Sequence, residues 1–265
     1  MSQKQATIVV GLGFGDEGKG TMVDYFTQTG RVSAVVRFNG GPQARHGVVT
    51  PDGRHHSFSQ FGSGSFKAGV RTHLSRFMLV DPIEMLVEAR VLHQLYCRRV
   101  FELMSVDEDA MIITPFHKDA NFIRERARGR GVHGSCGMGI GETMHLSLMR
   151  PDLIIRAKEL KDLPVLTRKL RLIQEYFRAE FADDATYGEI KSLRDSTTGE
   201  SRFSSVMPSR WAEVLHEAAQ HLTVVSGDYL HTLGRAGSLV FEGAQGVLLD
   251  EWYGFHPHTT WSTTT

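Results

Sequence analysis

Close to the N-terminus a short apolar run ends in "GLGFGDEGKGTMVD" (Gly11–Asp24), where glycines alternate with two acids and a lysine. Gly13, Gly18 and Lys19 fit the phosphate-loop spacing G-x-x-x-x-G-K-[ST], but Gly20 stands where a hydroxyl should hold Mg²⁺. Backbone N–H groups of such a loop, together with a helix N-terminus, surround phosphates, and Lys19 adds a positive charge. Asp16 can supply the oxygen ligand that Gly20 cannot. A carboxylate beside a γ-phosphate can also take a proton from an acceptor and make it nucleophilic. Two other readings compete. Gly13, Gly15 and Gly18 also spell a dinucleotide fingerprint, but that motif expects an acid near the end of the next strand, and "AVVRFNGG" has none. The third reading is a structural tight turn with incidental charge.

The elements that must carry this loop follow from pattern. Ala6 to Val10 reads as a buried strand, Lys19 to about Gln28 as a helix, and Ala34 to Phe38 as a second strand. "VVTPDGRHHSFSQF" reads as a hairpin turning at Pro51-Asp52-Gly53. Asp81 is placed to cap a helix that opens at Pro82. Met111 to Thr114 is a short strand candidate, and "HKDANFIRERAR" an amphipathic helix. "GRGVHGSCGMGIGET" (Gly129–Thr143) is too glycine-rich for a packed element and reads as a mobile or ligand-binding loop. Pro151 to about Tyr229 is mostly helical, with a polar break at "RDSTTGESRFSS" (Arg194–Ser205). "SLVFEGAQGVLLD" returns to strand character, and "HPHTTWSTTT" reads as a loop-like tail. The expected class is α/β, with a mostly parallel central sheet, a P-loop-like nucleotide site and a helical insertion at about 150–230, all within one domain spanning 1–265.

The bulk numbers narrow the function. Among 265 residues, Lys plus Arg equals Asp plus Glu at 30 each, so charge gives no reason to expect nucleic acid or a membrane surface as partner. The two cysteines, Cys97 and Cys136, form neither a metal motif nor a disulfide framework, which suits a reducing cytoplasm. No signal-peptide pattern and no stretch long enough for a membrane span is found. "RHH" (Arg54–His56) and "HPH" (His256–His258) lack ligand spacing and read as surface histidines.

Four segments in order, "GDEGKG", "FNGGPQARHG", "GSCGMGIGE" and "FEGAQGVLLD…YGFHPHTTWSTTT", resemble the adenylosuccinate synthetase family over nearly the whole chain. The resemblance implies a purine ligase joining aspartate to the 6-position of IMP with GTP and Mg²⁺. Asp16 is then the base and a Mg²⁺ ligand, and His46 the donor to the transferring phosphate, acting with Lys19. Gln245 resembles the side chain that holds the purine. Gly15, Asp16, Glu17, Gly18, Lys19, Gly20, Thr21, Arg45, His46 and Gly47 correspond to the triphosphate site. Asp16, Lys19, Gln43, Ala44, Arg45, His46, Cys136, Arg150, Gln245 and Thr260 correspond to the monophosphate site. Arg150 aligns with an arginine that reaches the neighbouring subunit's IMP phosphate, which implies a homodimer. Read without the family, Gln245 and Thr260 are ordinary loop residues, His46 a surface histidine, Arg150 a carbonyl cap and Cys136 a small filler.

The departures cluster at the acceptor. The family has "GGHNAGHT" where this chain has "GGPQARHG": Gln43 replaces an asparagine facing the acceptor, and Arg45 a glycine whose carbonyl helps bind Mg²⁺. Cys136 replaces a phosphate-binding threonine, and Met138 stands where the family often has arginine. The family's aspartate-gripping loop and its "KxD" guanine-reading motif have no counterpart, so the family's C-terminal part is expected to be absent. Two alternatives follow: a paralogue acting on (d)GMP with ATP or GTP, and a non-catalytic purine-nucleotide-binding or sensor module.

Overall fold

The computed structural model describes residues 4–96, 100–131, 134–182 and 207–264. Cys97, the polar break Arg194–Ser205, and Val132 and His133 of the glycine-rich segment lie outside the described residues. The chain divides into two compact units: Met1–Met111 with Arg156–Lys158 and His221–Thr265, and Ile112–Ile155 with Glu159–Gln220.

The first unit is built on a parallel sheet. Among the described residues its strands are β1 (Ala6–Val9), β2 (Val32–Arg37), β5 (Arg71–Leu74), β6 (Met104–Asp107), β7 (Val224–Val225) and β8 (Ser238–Glu242), in the order β1-β8-β2-β5-β6-β7. Every pairing in it is parallel. A parallel strand covered on both faces must be apolar on both, and "AVV" at 34–36 is fully buried for that reason. Val9, Val23, Val35, Val70 and Val240 form one core cluster around this sheet. A separate hairpin, β3 (His46–Val49) with β4 (His55–Phe58), turns at Thr50–Arg54, where the Thr50 amide donates to the Arg54 carbonyl at 2.9 Å.

β8 lies between β1 and β2, although about 200 residues separate it from either. The segments that follow β1, β2 and β8 therefore leave the same edge of the sheet side by side. Ligands of open α/β sheets gather outside the carboxyl ends of strands, where neighbouring connections part. Helix α1 (Lys19–Thr29) starts at Gly18, whose φ of 79° only a glycine adopts readily. Helix α2 (Pro82–Tyr96) starts as expected: Asp81 Oδ1 accepts from the amides of Ile83 and Glu84 at 3.0 and 3.1 Å.

The second unit is helical: α3 (Pro115–Ala127), α4 (Ile140–Met149), α5 (Leu163–Glu180) and α6 (Pro208–Ala219). In α5, Leu166, Leu170, Ile173 and Phe177 recur at helical spacing on one buried stripe, and Asp162 caps the helix by accepting from Val165 N at 3.0 Å. Helix α7 (Tyr229–Ala236) returns to the first unit and packs Leu233 with Ala34 and Leu239.

Four expectations are corrected. Ala6–Val10 is not a buried strand: β1 ends at Val9 and lies at the edge of the sheet, which leaves Ile8 64 % exposed. Met111–Thr114 is not a sheet strand: Met111 makes an isolated bridge with Arg156, and the strand of this region is Met104–Asp107, whose residues are all buried. The glycine-rich segment is not a loop throughout. Its last residues open α4, where Thr143 is fully buried and Glu142 nearly so, because Gly139 at φ 75° starts the helix. His56 is not a surface histidine; it is 8 % exposed, with Nε2 3.4 Å from Glu88. Alternation along β4 turns it inward, beside Phe58.

Candidate functional site

The loop after β1 is held by the loop after β8. Val247 N donates to Gly11 O at 2.9 Å and Leu248 N to Gly13 O at 3.1 Å. Gly246 is required at that crossing: a Cβ there would lie 2.1 Å from Gly13 O and 2.5 Å from Gly15 N. Asn39, after β2, accepts from Ala244 N at 2.7 Å and donates to Thr263 O at 2.8 Å. Asp250 accepts from the amides of Trp252, Tyr253 and Thr264, so the tail is pinned against these loops.

Within this frame Lys19 is almost fully buried, with Nζ donating to Gly15 O at 3.0 Å. Burial pushes its pKa down, and Glu17 and Asp16 oppose the shift. Asp16 is exposed on the loop. Glu17 folds back along the loop surface: Oε1 accepts from Gly15 N at 2.9 Å, and Oε2 lies 3.8 Å from Lys19 Nζ. The slight burial of Glu17 works to raise its pKa, but these backbone donors and Lys19 outweigh it and hold the carboxyl below its usual value. An internal anion thus sits at the loop's amides.

The missing hydroxyl at position 20 has a steric cause. A Cβ on Gly20 would stand 2.9 Å from His46 Cβ and 3.1 Å from Gly47 O. The hairpin strand β3 presses its first residue against the start of α1, and a serine does not fit. His46 is 6 % exposed, with Nδ1 2.5 Å from Glu242 Oε1. Burial lowers the histidine's pKa despite this partner. Burial also works to raise Glu242, but Arg37, His46 and Ser63 outweigh it and hold its carboxyl at about 2. Ser63 donates to Glu242 through its amide at 3.0 Å and through its hydroxyl.

Gln43 and Gln245 share an unusual state. Both polar atoms of each amide are buried with no hydrogen-bond partner among the described residues. Leaving such a group unpaired costs about 1–3 kcal/mol. Gln245 also adopts φ 57°, a left-handed conformation that a non-glycine residue enters at about 1–2 kcal/mol. Its amide lies over Gly40, where a Cβ would stand 3.0 Å from Oε1.

Of the residues singled out from sequence, Gly15, Asp16, Glu17, Gly18, Lys19, Gly20, Gln43, His46, Gly47 and Gln245 lie on these adjoining segments, as do the half-buried Ala44 and the exposed Arg45. Thr21 is exposed on the first turn of α1, and Thr260 is half-buried with its amide on Leu249 O at 2.8 Å. Cys136 and Arg150 belong to the second unit. Cys136 is an exposed free thiol, not a filler. Arg150 holds Asp152 with two bonds, Nε to Oδ1 at 2.9 Å and Nη2 to Oδ2 at 2.8 Å, rather than capping carbonyls. Glu242, Arg37 and Ser63 went unnoticed in the sequence. The available signal was a charge ending an otherwise apolar buried strand, "SAVVR" and "SLVFE" alike.

Together these features define an α/β protein with a glycine loop opening a helix at the carboxyl ends of neighbouring parallel strands and a buried acid–histidine pair beside it. The adenylosuccinate synthetase family model matches residues 8–265. The chain belongs to that family. It is 33 % identical over 257 residues to adenylosuccinate synthetase of Anaeromyxobacter dehalogenans, covering 97 % of this chain and 56 % of the relative. To the Thermoplasma acidophilum enzyme it is 30 % identical over 263 residues, covering 97 % and 54 %. Two solved structures share the fold. One is fully ligated adenylosuccinate synthetase from Plasmodium falciparum, with TM-score 0.81, 18 % identity, and 99 % of this chain covered against 56 % of that one. The other is cyanophage S-2L succinoaminodeoxyadenylate synthetase bound to dGMP and dATP, with TM-score 0.64, 19 % identity, and 99 % against 57 %. The chain spans about half the length of the curated relatives it matches.

Proposed function

We propose that this chain carries the phosphorylating half-site of a purine nucleotide ligase, acting on the 6-oxo group of IMP or a related 6-oxopurine nucleotide with GTP or ATP. The observation that carries this reading is the pair of buried, unpartnered amides of Gln43 and Gln245 on segments adjoining an acid- and lysine-bearing glycine loop. Unpaired donors and acceptors suit the edge of a planar amide-like base, which offers both. The 6-oxo group is a poor leaving group and must first be activated. Asp16 takes the N1 proton, O6 attacks the γ-phosphorus, and the nucleoside diphosphate leaves. The amine of aspartate then displaces phosphate at C6, giving adenylosuccinate or its analogue. Lys19 and His46 stabilise charge on the transferring group.

Mg²⁺ fits the residues present. Mg²⁺ usually takes one or two carboxylates plus substrate phosphates, and Asp16 offers an exposed carboxylate on a loop where position 20 has no room for a hydroxyl. The Arg45 carbonyl would complete the protein's share, and the ion would neutralise phosphate charge. Cys136, Arg150 and Thr260 are proposed for the monophosphate. Arg150 must first release Asp152, and its action across a homodimer is part of the same proposal.

A second reading, (d)GMP as acceptor, is favoured by the two unpartnered Oε1 acceptors, which can receive an exocyclic 2-amino group. Phosphate release with IMP or dGMP, GTP or ATP, Mg²⁺ and aspartate tests both. Asp16→Ala is expected to abolish it. Release without aspartate would mark a plain phosphotransferase. Nucleotide binding without turnover, unaltered by Asp16→Ala, would mark a binding module, and no release with any pairing would overturn the ligase.

A further inference from the structure

We infer that Glu242 is a positioning residue for His46: it holds the Nδ1–H of the imidazole and turns Nε2 away from the carboxylate, so that a ring charged by a second proton, balanced by Glu242, donates from Nε2 to the transferring group. This rests on the ligase reading for its kinetic consequence, but not for its geometry.

Glu242 is fully buried at the end of β8, and its donors are arranged asymmetrically. Oε2 receives the Ser63 amide at 3.0 Å, a donor whose direction the backbone fixes. Oε1 receives the Ser63 hydroxyl and faces His46 Nδ1 at 2.5 Å. Arg37, the register partner of Glu242 on β2, is also fully buried, and its Nε and Nη2 have no hydrogen-bond partner among the described residues. Its charge favours a carboxylate at Glu242. A carboxylate only accepts, so the proton between the two side chains belongs to Nδ1. A turned-over ring would take Nδ1 off this acceptor.

The same asymmetry makes an isosteric replacement informative. In Glu242→Gln the amide oxygen must face the fixed Ser63 N–H, since an NH₂ there would meet a donor. The NH₂ then faces His46, which must accept at Nδ1 and carry its proton on Nε2. The replacement is expected to invert the tautomer rather than merely loosen the ring.

The test reads ¹⁵N shifts of His46 in the ligand-free full chain at neutral pH, with turnover measured in parallel. The wild type is expected to show Nδ1–H. Glu242→Gln is expected to show Nε2–H, with kcat lower by roughly 10²-fold, because a neutral ring without the balancing carboxylate donates less strongly than a charged one, and with little change in KM for the triphosphate. Ser63→Ala, which keeps the amide donor, should retain Nδ1–H. An Nε2–H wild type, or wild-type kcat in Glu242→Gln, would overturn the inference. Should Glu242→Gln not fold, the wild-type and Ser63→Ala spectra still decide. Should no nucleotide pair turn over, the ligase reading fails while the tautomer measurement stands.

Discussion

His117 makes the helical unit acid-labile, by an amount that can be worked out. It is the third residue of α3, fully buried, with Nδ1 accepting from Thr114 N at 3.0 Å. Nε2 has no partner among the described residues, and the ring stands edge-on to Phe177 at 88°. A proton on Nδ1 would confront the Thr114 donor, and a charged ring would be desolvated. Burial accordingly pushes the pKa from 6.5 down to about 3. The folded value lies below the unfolded one, so the unfolded chain binds more protons between them. The stabilisation is complete above pH 6.5 and is lost as pH falls towards 3. The loss is about 2 kcal/mol between pH 7 and 5, and about 5 kcal/mol once both forms are protonated. His117→Gln is the matching perturbation, because glutamine at this position completes a capping box without titrating. Urea unfolding followed by circular dichroism at pH 7 and pH 5, with amide exchange of α3 as a local readout, should show the wild type losing about 2 kcal/mol more than the variant. The other buried histidines among the described residues, His46, His56 and His73, are common to both proteins and cancel in the difference. Parallel losses in the two proteins would refute the reasoning.

Other outcomes follow from the site. Gln245→Gly should stabilise the fold by about 1 kcal/mol, by releasing φ 57° and two unpaired amide atoms, while weakening purine monophosphate binding; denaturation midpoints and calorimetry check both. Gly20→Ser restores the phosphate-loop hydroxyl yet should weaken triphosphate binding about tenfold or more, since its Cβ meets His46 and Gly47; titration with a fluorescent triphosphate reads this. Glu17→Ala removes the internal anion from the loop amides and should tighten pyrophosphate binding several-fold at low salt.

Much of this was legible in the sequence because it is local. The hairpin turn, the Asp81 cap, the helix after the glycine loop and the apolar stripe of α5 each depend on neighbours a few residues away. β6 was missed because "MSVD" is too short and mixed to stand out, and only pairing with β5 makes it a strand. His56 was misplaced because its burial depends on Glu88, which lies on α2. At the site, Asp16, Lys19 and His46 were visible as motif residues. Glu242, Arg37 and Ser63 were not, because their meeting depends on β8 lying next to β2, a pairing across some 200 residues that no local pattern announces. Glu17, which the family resemblance assigns to the triphosphate site, accepts from the Gly15 amide of its own loop, a contact that no sequence pattern announced.

The place of β8 also governs how the molecule comes to exist. As the chain emerges from the ribosome, β1 and β2 are made first but cannot pair with each other, since the slot between them is reserved for a strand not yet synthesised. Until Ser238–Glu242 arrives, each exposes an unsatisfied backbone edge, and the glycine loop after β1 lacks the Gly246 crossing that shapes it. Sheet completion and site assembly are therefore one late event, and the newborn chain is most exposed to aggregation and chaperone capture just before it.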